Sequence, residues 1–296
     1  MTPRLARTLT AALLVGGLVG CGSLELVDPP GEDAGAQPNA LPDPPPPVTV
    51  SAGGRSFELE AWTSCFGAVC RDGAPPANPP DLGAAPRIEI GFPLDGWTFE
   101  AEFTPVGQAC PRRQMVPADQ TGPQTHALEP AGRADTYDVT LSGRGRGDRG
   151  GDLFVTFRWT TPVDGPMPVP RARLAIVADH DGTPDSYGVE LELADLAATP
   201  IEATAEVTVA AANGRAVAFD LTRAPGCIAE GTLYWDGPNQ PGLEAAALGP
   251  APFTYDAVVT LDGDQYVATA TWPDDEIAGN EPSVSLDFTP ALPALP

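Results

Sequence analysis

The sequence predicts an all-β protein with two tandem antiparallel β-sandwich domains that follow a signal peptide and a disordered, proline-rich tether. Three observations support this prediction. From residue 48 onward apolar and polar residues alternate with period two, which is typical of half-buried strands. The series of strands then repeats once along the chain, and no window outside the first 20 residues has helical periodicity. The 32 glycines and 36 prolines among 296 residues supply turns between short strands.

The composition argues against several classes of function. The chain has 16 basic residues, all arginine, against 40 acidic ones, for a formal charge of −24. A nucleic-acid partner is not expected, because phosphate binding needs a basic surface. With only His126 and His180 in the chain, most histidine-based metal enzymes are also excluded. No nucleophile elbow, HExxH motif or phosphate loop is present, so the sequence does not predict an enzyme.

The first 20 residues have the pattern of a secretion signal. Arg4 and Arg7 form a positively charged start, and an apolar run extends from Leu9 to Val19. This run is too short to cross a bilayer, which takes roughly 20 apolar residues. We therefore predict that residues 1–20 are a signal peptide.

The end of this signal resembles the lipobox of bacterial lipoproteins. The residues that carry the resemblance are Leu18-Val19-Gly20-Cys21. The resemblance implies that Cys21 is acylated, becomes the first mature residue and anchors the protein to the cell envelope. Gly22 stands where an aspartate tends to retain lipoproteins at the inner membrane, so by analogy the outer membrane is favoured. The alternative is an ordinary secretion signal with an incidental Cys21.

Residues 21–47 are predicted to be the lipidated cysteine and a disordered tether. The segment 22–47 contains eight prolines, five acidic residues and no basic residue, so it cannot bury enough apolar surface to fold. A proline-rich chain extends by ~3.1 Å per residue, and such a tether would reach roughly 80 Å from the membrane. Spacing is its expected role; a proline-rich docking ligand is the alternative.

Two predicted domains follow, at residues 48–181 and 182–296. In the first, the alternating runs are Phe57–Ala61, Ile88–Phe92, Phe99–Phe103, Tyr137–Leu141, Val155–Trp159 and Ala172–Ile176. The second domain has six corresponding runs in the same order. They are Val189–Leu193, Ala205–Val209, Val217–Leu221, Thr254–Leu261, the strand ending at Trp272, and Val284–Phe288. Six or seven short strands per domain predict a two-sheet sandwich. Each domain resembles an immunoglobulin-like module in strand count; a jelly roll or a small barrel is the alternative.

Four cysteines remain after Cys21, an even number that is typical of an exported protein. Three pairings are open for Cys65, Cys70, Cys110 and Cys227. Because the second domain contains only Cys227, any fully paired state includes a bridge between the two domains. We favour Cys65–Cys70, which closes a short loop, together with Cys110–Cys227, two positions that match in the repeat.

Two acidic segments are candidate calcium sites. In Asp179-His180-Asp181-Gly182-Thr183-Pro184-Asp185, the carboxylates of Asp179, Asp181 and Asp185 could wrap a hard cation around a glycine turn, with Glu190 completing the site. This string resembles the tail of thrombospondin-type-3 calcium repeats. The alternative is an interdomain turn. The loop with Asp274, Asp275, Glu276, Asn280 and Glu281 is a weaker candidate for the same ion.

Other motifs suggest partners. Arg146-Gly147-Asp148 lies at a hairpin tip and resembles an integrin-recognition tripeptide, and the basic tip could also dock an acidic partner. Trp97 and Trp235 lie beside turns, and Trp62 lies on the polar face of its strand, so these three could stack on sugars. Trp159 and Trp272 continue apolar faces and are predicted to be core.

Together these patterns predict a non-catalytic, lipid-anchored envelope protein that serves as a binding, adhesion or scaffolding module. Its expected partners are the membrane, through the acyl chains, and an envelope protein or a glycan. A calcium-dependent surface module and a glycan-binding or carbohydrate-active protein are the alternatives. No cofactor is expected apart from a possible Ca²⁺ ion.

Overall fold

The computed structural model describes residues 44–66, 69–146, 150–177, 189–277 and 283–296. In the first half of the chain the strands are β1 Val48–Ala52, β2 Arg55–Leu59, β3 Thr63–Phe66, β4 Val69–Arg71, β5 Asp81–Ala84, β6 Ile88–Gly91, β7 Trp97–Pro105, β8 Gln114–Pro117, β9 Asp119–Gly122, β10 Thr125–Leu128, β11 Thr136–Gly145 and β12 Gly151–Thr160. In the second half the elements are β13 Arg171–Ala175, β14 Glu190–Ala194, β15 Ala203–Ala211, β16 Ala216–Arg223, β17 Leu233–Asp236, α1 Asn239–Ala246, β18 Phe253–Leu261, β19 Asp264–Trp272, β20 Glu276–Ile277 and β21 Ser283–Ser285. The predicted all-β class is confirmed.

Residues 48–160 form the first sandwich. One sheet has the strand order β2-β1-β6-β10-β9, and the other has β4-β3-β12-β11-β7-β8 with β5 paired in parallel to β12. Each sheet is apolar on one face because its strands alternate, and the two apolar faces share one core. Val50 and Ile90 come from the first sheet, and Val139 and Phe157 come from the second.

The strands β13 to β21 form the second sandwich from one folded sheet. Its strand order is β19-β18-β15-β16-β17-β14-β13-β21-β20. The pairing between β16 and β17 is limited to Thr222 with Asp236 and Arg223 with Trp235. This short ladder lets the sheet fold over, so that its two halves bury one shared core.

The two sandwiches repeat the same strand order. In the first, β1-β6-β10 faces β8-β7-β11-β12; in the second, β13-β14-β17 faces β16-β15-β18-β19. These seven strands, which we call the shared strands, can be numbered 1 to 7 in chain order within each sandwich. One layer then has the order 1-2-5 and the other has the order 4-3-6-7 in both sandwiches. This is an immunoglobulin-like arrangement.

Some of the strand correspondences between the two repeats that the sequence predicted are displaced by one strand. The matches of β11 with β18 and of β12 with β19 agree with the sheet order. However, β15 pairs with β18 as β7 pairs with β11, so β15 corresponds to β7 and not to β6. Likewise β16 corresponds to β8. The first sandwich inserts β2 to β5 between its first two shared strands, and period-two patterns alone do not distinguish one strand from the next.

The strand β13 was assigned to the first repeat, and this assignment is wrong. It pairs with β14 and β21, and Ala172, Leu174 and Ile176 belong to the second core. The predicted limits 48–181 and 182–296 therefore assign β13 to the wrong sandwich. Residues 178–188, which include the predicted limit itself, lie outside the described residues. Residues 41–296 form one compact unit that contains both cores.

The helix α1 contradicts the expectation that no helix occurs after the signal. Pro241 and Gly242 obscure its pattern, but a proline in the first helical turn loses only an N–H that has no intrahelical partner. Ala245, on the last turn, is fully buried in the second core. Within the described ranges, no helix is both long enough and apolar enough to cross a membrane.

Candidate functional site

Two disulfides are formed by the four described cysteines. Cys65 and Cys70 lie opposite each other on β3 and β4 and are bonded. Cys110, after β7, is bonded to Cys227, after β16, with 6.0 Å between their Cα atoms. This is the pairing that we favoured from the sequence. Cys110 follows β7, whereas Cys227 follows β16, which corresponds to β8. The two cysteines are therefore not at equivalent positions of the two sandwiches, and repeat symmetry is not what brings them together.

Beside this disulfide, Arg112 crosses from the first sandwich to the second. Its Nη2 donates hydrogen bonds to the carbonyl oxygens of Leu196, at 2.6 Å, and Ala197, at 3.3 Å. The N–H of Glu230 donates in the opposite direction to the carbonyl of Pro111, at 3.3 Å. The segment 110–112 is therefore held by a covalent bond and by hydrogen bonds to two separate loops of the second sandwich.

Gly231 makes this close approach possible. Its φ is +75°, a conformation that favours glycine. A Cβ atom at this position would lie 2.7 Å from Nη1 of Arg112 and would also clash with the carbonyl oxygen of Leu196. Only a residue without a side chain fits between the guanidinium and the backbone.

A pocket of about 240 Å³ opens at this junction, and we call it the inter-sandwich pocket. The first sandwich and the segment that follows it provide most of the wall, while the second sandwich and the C-terminal segment provide Glu230 and Leu295. The lining residues are Phe103, Pro105, Gln108, Arg112, Gln114, Gly132, Arg133, Asp135, Tyr137, Met167, Pro168, Glu230 and Leu295. The pocket thus combines an apolar wall with two guanidinium groups, two amides and two carboxylates.

The guanidinium of Arg112 has one unused nitrogen. Nη1 is buried and has no hydrogen-bond partner among the described residues. A buried donor without a partner costs about 1–3 kcal/mol and more when it is charged. Such a group calls for a physical explanation. Nη1 packs beside Gly231, where a Cβ atom would lie 2.7 Å away.

Tyr137 acts in this pocket as a fixed hydrogen-bond donor. Its hydroxyl donates to the carbonyl of Arg133 at 2.6 Å. Burial, and then the negative charges of Asp135 and Asp164, raise the pKa of the phenol above its ordinary value. The hydroxyl therefore stays protonated at neutral pH. The carboxylate of Asp135 accepts the N–H of Thr136 at 2.7 Å, which fixes the start of β11.

Several residues singled out from the sequence lie outside the described residues. These are Cys21, the calcium candidates Asp179, Asp181 and Asp185, and Gly147 and Asp148 of the tripeptide. Of the neighbouring groups, the carboxylate of Glu190 lies beside Tyr234. Burial, and then this carboxylate, raise the pKa of the Tyr234 phenol above its ordinary value. Calcium binding at the aspartates stays a prediction.

The second acidic loop is used for local structure. The carboxylate of Asp275 accepts the N–H of Thr271 at 2.7 Å, and its carbonyl accepts the N–H of Ser285 at 3.1 Å. Asn280 and Glu281 lie outside the described residues. Across the described part of the chain, no three or more His, Cys, Asp or Glu side chains come together as a metal site.

The structure contradicts sugar stacking at Trp97 and Trp235. Both are buried, with exposed fractions of 1% and 0%. Trp97 packs against Phe66 and Phe92, with ring centroids 5.1 and 4.8 Å apart. Proximity to a turn misled the interpretation, because Trp97 belongs to the first core and Trp235 to the second.

The other three tryptophans are buried to different degrees, and Trp62 lies between β2 and β3 and not in a strand. Trp62 is half-buried beside Phe154, and its Nε1 donates to Oγ1 of Thr156 at 3.1 Å. Trp159 is core, as predicted, and Trp272 is partly buried against the second core.

Comparison with solved structures finds a chain to which this one is similar, the FN1–FN3 domains of chicken CNTN1. The TM-score is 0.20 and the identity is 12%, over 76% of this chain and 90% of that chain. No protein-family model and no curated protein matches the chain. The fold assignment therefore rests on the strand pairing described above.

Proposed function

We propose that this chain is a non-catalytic, lipid-anchored envelope protein whose two sandwiches act as one binding or scaffolding module. The observation that carries the proposal is the junction at Cys110–Cys227, with Arg112 bonded to Leu196 and Ala197. These contacts couple two sandwiches that otherwise have separate cores.

A coupled pair of sandwiches suits binding more than a flexible pair does. Ordering two mobile domains on a partner costs conformational entropy, and a module that is already ordered avoids that cost. The disulfides also support an exported protein, since such bonds persist in oxidising compartments.

The charge supports an acyl anchor over electrostatic adsorption to a membrane. Removing residues 1–20 removes two arginines and no acid, which leaves 14 basic against 40 acidic residues, or −26. Anionic headgroups repel such a surface. Buried acyl chains, at about 0.8 kcal/mol per CH₂, hold it without any charge attraction.

Fractionation and cross-linking of the full chain in envelope membranes test the proposal. The native protein should sediment with membranes and be recovered from detergent extracts with an envelope protein. Cys21→Ser should move the chain to the soluble fraction without abolishing partner capture. Recovery of the native protein alone, or an unmodified leader by mass spectrometry, contradicts the proposal. A hit on a glycan array in place of a protein partner would select the lectin alternative.

A further inference from the structure

We propose that the open edge of β2 binds an extended segment of a partner protein that carries a basic residue opposite Glu58. The inference rests on the proposed binding function and names the kind of segment that this module captures. Its three supports are the backbone of the β2 edge, a groove beside that edge and the charge of the groove.

The edge of β2 presents backbone groups for a further strand. Among the described strands, β2 pairs only with β1 and forms one end of the five-stranded sheet. Residues 53–54 form a two-residue turn with positive φ, so Ala52 and Arg55 are the first hydrogen-bonded pair of this hairpin. Hydrogen-bonded and non-hydrogen-bonded pairs then alternate. The N–H and C=O groups of Ser56 and Glu58 therefore point away from β1, toward the open side.

The other edges of the described sheets are less suited to strand addition. The strands β4 and β20 have three and two residues, and β8 ends in Pro117. The ladder of β9 contains a register shift, and β19 is bridged to Thr289. In contrast, β2 has five residues in unbroken register, and both Ser56 and Glu58 are exposed. Such a regular, exposed edge is a template for a further strand.

A groove of about 480 Å³ lies on the outer face of the same sheet, and we call it the Gly91 groove. Thr49 is opposite both Glu58 and Gly91, and Gly91 is opposite Thr125, so these positions form one row across β2, β1, β6 and β10. Because Gly91 has no side chain, the row is open at its centre. The lining residues are Pro47, Thr49, Glu58, Gly91, Phe92, Pro93, Gln124 and Thr125.

The charge of this groove favours a cation. Among the described lining residues Glu58 alone is charged, and it is exposed. Thr49 and Thr125 carry hydroxyl groups that accept hydrogen bonds, whereas an ammonium or a guanidinium only donates them. The basic residue of β2, Arg55, lies over the ring of Phe57, 4.7 Å from its centroid, and therefore on the opposite face of the strand.

An added strand would bring one of its residues directly beside Glu58. Neighbouring strands lie about 4.8 Å apart, so a lysine or arginine at that position reaches the carboxylate and extends over Thr49 toward Gly91. The residues at alternate positions face the other side, beside Phe57, which packs partly buried against the first core. The expected segment therefore alternates basic residues with β-branched or aromatic ones.

Two other occupants of the edge are less favoured. A second copy of the chain has the same charge of −24 and the same Glu58, so two β2 strands repel each other. The tether, residues 22–47, has eight prolines, five acidic residues and no basic residue. Prolines lack the N–H that a ladder needs, and the acids are repelled by Glu58.

Titration calorimetry of the disulfide-bonded full chain with capped seven-residue peptides tests the proposal. The probe alternates arginine and valine, and the matched control has glutamate in place of arginine. The arginine peptide should bind about tenfold more tightly or better, because like charges at an interface are strongly unfavourable. N-methylation of the arginine amides removes the donors that face β2 and should abolish binding. N-methylation of the valine amides should not.

Three variants separate the edge from the groove. Ser56→Pro removes an N–H that faces away from β1 and should weaken the arginine peptide about tenfold, while Ser56→Ala keeps this N–H and should bind like the native chain. Glu58→Gln should weaken the arginine peptide about two- to fivefold. Gly91→Val should also weaken it by filling the groove, and a Cβ atom there lies 3.6 Å from Cβ of Thr49, an ordinary contact. Thermal unfolding checks that each variant is folded.

Equal affinity for the arginine and glutamate peptides, or native affinity in Ser56→Pro, overturns the proposal. A native dimer in analytical ultracentrifugation that Ser56→Pro converts to a monomer also overturns it, because a second copy would then occupy the edge. With any of these results, capture of the envelope partner by the Ser56→Pro chain leaves the proposed function standing. Peptide binding by a native chain that captures no envelope partner has the opposite meaning.

Discussion

His126 is a buried polar side chain in the first core, with an exposed fraction of 2%. Its Nε2 lies 3.1 Å from the carbonyl oxygen of Trp97, and its ring packs edge-on against Phe99 at 5.0 Å. Because a carbonyl only accepts, Nε2 carries the proton. Nδ1 is buried and has no partner among the described groups. A second proton on this ring is therefore disfavoured.

We expect His126 to make the protein less stable on mild acidification. Burial, partly opposed by the hydrogen bond to Trp97, lowers the pKa of the imidazole below its ordinary 6.5. Below pH 6.5 the unfolded chain takes up a proton that the folded chain does not, so the free energy of unfolding falls as pH decreases through this region. Urea titrations at pH 7.5, 6.5 and 5.5 measure this slope.

His126→Gln is the matched variant for this prediction, since an amide can still donate to Trp97 but does not titrate. It should lose less stability than the native protein between pH 7.5 and 5.5. The other histidine, His180, is present in both proteins and cancels. Equal slopes for the two proteins would show that His126 does not control the effect.

Tyr255 fixes the end of β13 to the second core. The N–H of Val177 donates to the hydroxyl of Tyr255 at 3.1 Å, and both residues are buried. Tyr255→Phe leaves this N–H without a partner and should cost about 1–3 kcal/mol of unfolding free energy. Urea denaturation measures the loss, with Tyr266→Phe, at a more exposed tyrosine, as the control. A loss no larger than that of the control would argue against the assigned role.

At the scale of elements, the period-two pattern predicted strands well and their partners poorly. Alternation in β7, β11 and β18 follows directly from one buried face, which is why their inward residues were identified. Pairing depends on loop paths and insertions that the pattern does not contain. The helix α1 was missed because it is a single short element with Pro241 and Gly242 near its start.

The reassignment of β13 gives a prediction about local stability. Leu174 is fully buried in the second core, so Leu174→Ala should cost about 2–5 kcal/mol. Hydrogen exchange should then rise more in β14 and β15 than in β11 and β12, because local opening is governed by the nearer core. Leu141→Ala, in the first core, should give the reverse pattern. A larger rise in the first sandwich than in the second in the Leu174 variant would return β13 to the first repeat.

At the scale of the whole molecule, cysteine counting was informative and the pocket was not foreseeable. With Cys227 alone in the second half, a bridge between the halves followed from an even number of cysteines. The inter-sandwich pocket joins residues as distant in sequence as Phe103 and Leu295. Arg112 had no signal in the sequence, because its role depends on the carbonyls of Leu196 and Ala197 reaching it across the junction.

The two disulfides should contribute unequally to global stability. Cys110–Cys227 spans 117 residues and Cys65–Cys70 spans 5. Constraint of the unfolded chain alone assigns them about 4–5 and roughly 2 kcal/mol, respectively. Removing the long bridge as the double serine variant also uncouples two separate cores, so calorimetric unfolding should change from one transition to two. The Cys65→Ser, Cys70→Ser variant should keep a single transition at a modestly lower midpoint. If the Cys110→Ser, Cys227→Ser variant also unfolds in one transition, the hydrogen bonds of Arg112 and Glu230 suffice to couple the sandwiches, and the bridge is not what makes them one unit.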